Sequence, residues 1–213
     1  MATGSLAPSV ADGAEKPSAD GVVRELLHDA LDRAANRLGQ PDGFWANPRV
    51  RIGVPEPLAR LDKGLRRYGL ERVAEDFELS LNRAAEQAIP VAKPVLLAAV
   101  RDLTLTDAAH IACGGDGAAT AYFRAHTETE LAGKMKPIVA AATAQAGVTA
   151  AYKRLLRRGA FVEKIADPGA LDLDAHVTQA ALDGVFVLMA EEEQHLRHDP
   201  LARGAELLKK LLH

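Results

Sequence analysis

Residues 70–89 read LERVAEDFELSLNRAAEQAI, and the spacing of their apolar members decides the fold class. Leu70, Val73, Ala74, Phe77, Leu81, Ala84, Ala85 and Ala88 recur at steps of three and four, which lays one broad apolar stripe along a helix. Beside that stripe Glu78, Asn82 and Glu86 follow one another every four residues and therefore stack in a polar row. Pro90 lacks a backbone donor and crowds the preceding turn, so the helix is expected to break there.

The same reading extends toward the C-terminus. A short apolar helix is expected through Val95 to Val100, and Thr106 offers an N-cap for another over Ala108 to Ala112, stopped by Gly114 and Gly115. Asp116 can cap a helical stretch from Ala118 to Ala146, with an interruption near Thr127 or at Pro137. Thr149 opens a helix to Arg158, and 159–173, with Pro168 and Gly169, reads as a loop. Asp172 and Asp174 announce a long helix whose residues from Ala180 to Ala190 are all apolar except Asp183 and Gly184, the pattern of a central helix. Asp199 and Pro200 have the N-cap and N1 pairing that starts a last amphipathic helix, Leu201 to Leu212.

Toward the N-terminus, Val22, Val23, Leu26, Leu27, Ala30, Leu31, Ala34 and Leu38 predict a helix that Gly39 closes. Pro41, Gly43, Pro48, Pro55 and Pro57 make 40–56 an irregular strap, whose Phe44, Trp45, Val50 and Ile52 should pack onto the helices. A further helix, Pro57 to Tyr68, turns Leu58, Leu61 and Leu65 inward and Arg60, Lys63, Arg66 and Arg67 mostly outward. The expectation is a disordered leader over 1–19 and one all-α, bundle-like domain over 20–213. It has about eight helices, with the nearly all-apolar one near the C-terminus at its centre.

Composition agrees. The chain holds 41 Ala and 28 Leu against five Phe, three Tyr and one Trp, a mixture that favours helices over strands. A net charge of −3 gives no sustained positive field for a phosphate backbone, and nine aromatics leave little for base stacking, so nucleic acid is not expected as a partner. Apolar runs fall far short of the ~20 residues of a membrane span. Cys113 has no cysteine to pair with and reads as an inert, partly buried thiol.

A series of ordered blocks carries a family resemblance: Asp42-Gly-Phe44, Asn47-Pro-Arg-Val-Arg-Ile52, Phe77-Glu-Leu-Ser-Leu-Asn-Arg-Ala-Ala-Glu-Gln87, Lys136-Pro-Ile-Val139 and Val177-Thr-Gln-Ala-Ala-Leu-Asp-Gly-Val-Phe186. From about residue 20 to residue 212 the chain resembles the bacterial domain of unknown function 4197 family. The resemblance implies an all-α fold and export to the periplasm, and brings no established activity. Met1 to Asp20 has no basic start and no apolar stretch of the kind an export signal needs, so a native N-terminus here would mean a cytoplasmic protein.

Two groups of residues could carry chemistry. Asp183, a carboxylate in an apolar segment, must reach solvent or meet a cation such as Arg83, Lys93 or Arg124. With Asn82, Arg83, Glu86, Gln87, Tyr122 and Arg124 it forms a candidate ligand-binding set, since binding sites combine apolar walls with a few convergent polar groups. The second group rests on two Glu-x-x-His spacings, Glu25 with His28 and Glu192 with His195. Bundle di-iron sites use two such motifs and two further glutamates, so Glu78, Glu86, Glu191, Glu192 and His195 make an alternative metal set. Nucleophile elbows and phosphate-binding glycine loops are absent. The leading expectation is a non-enzymatic binding protein of the bacterial envelope, without a cofactor, whose partner is a small molecule, a lipid or another protein. A metal-dependent helical enzyme is the alternative.

Overall fold

A computed structural model describes residues 18–160 and 171–198. Residues 1–17 of the expected leader, most of the loop after Arg158 and the final helix over 201–212 lie outside the described residues. Within them the chain is all-α, with seven α-helices: α1 Ala19–Leu38, α2 Ala59–Arg67, α3 Glu71–Asp102, α4 Ala108–Ala112, α5 Ala118–Gln145, α6 Val148–Gly159 and α7 Leu173–His198. A single 3-10 turn, Glu56–Leu58, leads into α2. Helix α1 begins inside the expected leader, where the Ser18 hydroxyl accepts the Gly21 N–H and caps the first turn.

The clearest departure from the sequence reading is α3. Neither Pro90 nor Pro94 breaks it; one helix of 32 residues replaces the two expected. Both prolines are themselves exposed, while Ala85, Ala88, Ile89, Ala92, Leu96 and Val100 continue the buried stripe. Tertiary packing on that stripe outweighs the local penalty. Helix α5 likewise runs through Thr127 and Pro137 without interruption.

Caps also moved. Asp107, and not Thr106, caps α4 by accepting the His110 N–H, and Gly117 in the left-handed region, and not Asp116, precedes α5. Gly147 does the same ahead of α6 in place of Thr149. Cys113 is exposed, because α4 ends beneath it and its side chain leaves the core.

Helix α3 packs against α1, α2, α5, α6 and α7, and α7 against α1, α3 and α5. The centre is therefore shared. Along α7 the residues Ala180, Asp183, Val187 and Ala190 form a half-exposed row, so this helix is not enclosed on every side. Phe44 from the strap is fully buried, and Gly184 makes room for it: a Cβ on Gly184 would lie 2.7 Å from the Phe44 ring.

Two cations tie α1 to α3, one at a helix end. Arg24 donates to the carbonyls of Val100, Arg101 and Leu103 at 3.0, 2.7 and 2.6 Å, satisfying acceptors that the end of α3 leaves open. Lys93 meets Asp32 at 2.6 Å and Asn36 at 2.8 Å, joining the other end of α1 to α3.

Candidate functional site

The polar row of α3 faces the strap. Asn82, fully buried, accepts the Ile52 N–H at 2.9 Å and donates to the Ile52 carbonyl at 2.8 Å and the Glu78 carbonyl at 2.7 Å. Glu86 Oε1 accepts the N–H groups of both Phe44 and Trp45 at 3.1 Å. A strap without regular secondary structure has backbone groups to satisfy, and these two side chains do so where water cannot reach.

Arginines complete the clamp. Arg83 donates to Glu86 Oε2 at 2.6 Å and to Asp42 at 2.7 Å, and these bonds, the Glu86 one foremost, hold its guanidinium above its ordinary pKa. Asp42 adopts a left-handed backbone, tolerated by a short polar side chain. Glu78 takes Arg51 at 3.2 Å and Arg66 at 2.9 Å, and the Arg51 guanidinium lies 3.5 Å over the centre of the Trp45 ring.

An open groove runs beside this clamp. Its first part, about 390 Å³, is walled by Asp42, Trp45, Ala46, Pro48, Arg51, Leu79 and Arg83. A second part, about 410 Å³, shares Leu79 and Arg83 and continues along Asp76 and Ser80 to Ala146, Gly147, Ala150, Ala151 and Arg154 around the start of α6. The groove thus crosses the outer face of α3 from the strap to α6.

The expected ligand set is only partly gathered here. Asn82 and Glu86 are engaged by the strap backbone, Arg83 reaches the groove, and Gln87 is exposed. Arg124 and Asp183 pair with each other between α5 and α7, above the Phe186 ring, with Glu128 and Gln179 completing the cluster. Asp183 is about half exposed, which settles how a carboxylate survives in an apolar segment: it has both solvent and a cation. Tyr122 belongs to neither place; its hydroxyl donates to the Thr104 carbonyl at 2.8 Å and its ring stacks on His126.

The metal set is dispersed. Glu78 and Glu86 serve the strap clamp, while Glu192 and Glu191 meet Arg37 and Arg49, both at 2.6 Å. His195 points to solvent. Among the described residues no group of three His, Cys, Asp or Glu side chains stands where it could hold a metal ion.

Sequence reasoning missed one buried ion pair. Glu193, fully buried on α7, accepts the N–H groups of Ala119 and Thr120 at 3.0 and 2.8 Å and the Thr120 hydroxyl at 2.6 Å, so its charge lies on the N-terminus of α5. Arg197 meets Glu193 at 2.8 Å and donates to the carbonyls of Ile111, Ala112 and Gly114 at the end of α4. Only the spacing Glu193-x-x-x-Arg197 could have flagged it, and that spacing is ordinarily a surface feature.

Fold and site together define an all-α protein with an irregular strap clamped to its longest helix. The chain belongs to the family described as protein of unknown function (DUF4197), whose model matches residues 14–213. No curated protein and no solved structure matches it. No helix among the described residues is long and apolar enough to cross a membrane.

Proposed function

We propose that the chain is a non-enzymatic binding protein of the bacterial envelope that takes a small molecule in the groove between the strap and α6. One observation carries this reading: the groove brings the Trp45 ring, the Leu79 side chain and a floor of alanines beside two fixed guanidiniums, Arg51 and Arg83. Apolar and aromatic walls with a few oriented polar groups are what a ligand site needs. The envelope location rests on the chain's membership of this family, whose members are usually exported.

Trp45 is the chain's single tryptophan, so its fluorescence reports on the groove alone. Native mass spectrometry of gently purified protein should show a bound mass that Leu79→Gln removes, and the released compound should change Trp45 emission when added back. A clean unliganded mass, with no change in emission or melting temperature across lipids, quinones and small metabolites, overturns the proposal.

A further inference from the structure

Helices α2 and α6, read separately in the sequence, lie side by side in the fold. Leu61 of α2 rests against Gly159 of α6, so closely that a Cβ on Gly159 would lie 2.2 Å from its Cδ1. Both helices are amphipathic, and each buries its apolar side within this protein: Leu61 and Leu65 from α2, Tyr152 and Leu155 from α6. Their outer sides are basic. Arg60, Lys63, Arg66 and Arg67 are exposed on α2, and Lys153, Arg154, Arg157 and Arg158 on α6, with Asp62 the one acid in either helix.

These two short helices therefore hold eight of the chain's 26 basic residues and one of its 29 acids, leaving 18 basic against 28 acidic elsewhere. An acidic protein that carries such a basic face among its described residues is polarised, and such a field orients the molecule toward an anionic surface. Counter-charges cover part of the face: Arg66 meets Asp62 of its own helix and Glu78 of α3, Arg154 meets Asp76 of α3 at 3.5 Å, and Arg60 is engaged as well. No carboxylate among the described residues pairs with Lys63, Arg67, Lys153, Arg157 or Arg158.

We infer that this face docks the protein on the surface of an anionic lipid bilayer. The charge is spread over two packed helices, whereas a single projecting helix enters a DNA groove. Tyr68, at the end of α2 beside Arg66 and Arg67, is 64% exposed, and tyrosine suits the level of lipid headgroups. Because the apolar sides of both helices are already buried, attachment is electrostatic and peripheral. It holds whether or not the groove carries a ligand.

Sedimentation of the full chain with phosphatidylcholine vesicles, with and without phosphatidylglycerol, tests this. Binding is expected only with phosphatidylglycerol, and it should vanish near molar salt, where the screening length falls to about 3 Å. Each basic residue near such a surface contributes about 1 kcal/mol, so Arg67→Ala with Arg157→Ala should weaken binding about 30-fold. Both side chains are exposed, and the unfolding midpoint should stay in place. Equal association with both vesicles, undiminished binding by the double variant, or capture of a DNA oligonucleotide in preference to phosphatidylglycerol vesicles would each overturn the inference.

Discussion

Asn82 shows how one buried amide can fix an irregular segment. Its side chain satisfies both backbone groups of Ile52, so Asn82→Ala leaves a donor and an acceptor stranded, and urea unfolding should show a loss of about 2 kcal/mol. Glycine substitutions separate close packing from helix propensity. Alanine at Gly184 gains helical preference but meets the Phe44 ring, and overpacking of that kind costs about 1–3 kcal/mol, so Gly184→Ala should destabilise. At Gly133, on the exposed side of α5, nothing lies within 4 Å, and the same change should stabilise by about 0.5–1 kcal/mol. Thermal unfolding of the two variants gives opposite signs if the contact with Phe44 decides. The sequence shows that Glu78, Asn82 and Glu86 share a face, because helical periodicity is local; that Asn82 and Glu86 serve backbone some 30 to 40 residues earlier, and Glu78 the arginines beside it, is a tertiary fact.

Among the helices, α3 and α7 test how far local rules reach. A proline in a helix interior carries a penalty of about 3 kcal/mol, yet α3 passes two, since its buried stripe continues between α1 and α5. Local sequence registers the penalty and not the compensation. On α7 the Glu193 and Arg197 pair joins the end of α4 to the start of α5, a junction where open carbonyls face a cation and open N–H groups an anion. Glu193→Gln leaves the Arg197 charge buried without its counter-ion, and the expected loss is about 3 kcal/mol by chemical denaturation. Adding Arg197→Met should recover part of that loss, so the two changes will not add.

For the whole molecule, acid is the informative variable. The bond from Lys93 holds Asp32 below its ordinary pKa, and the bond from Arg124 does the same for Glu128. Carboxylates depressed on folding stabilise the native state above their unfolded pKa, and that contribution is lost as pH falls through the folded value. Stability should therefore hold down to about pH 4 and decline below it, and Glu128→Gln should soften the decline. Because these groups are partly exposed, each contributes about 1 kcal/mol or less. By itself the sequence determined the all-α class, the presence of α1 and α2, the irregular strap and the family, since composition and periodicity act over a few turns. Tertiary structure decided that α3 is continuous, that the polar row grips the strap, that Arg83 and Arg124 occupy different sites, and that α2 packs against α6. The physical reason is common to all four: each depends on which groups distant in sequence share a low-dielectric contact, and spacing along one helix carries no information about its neighbour.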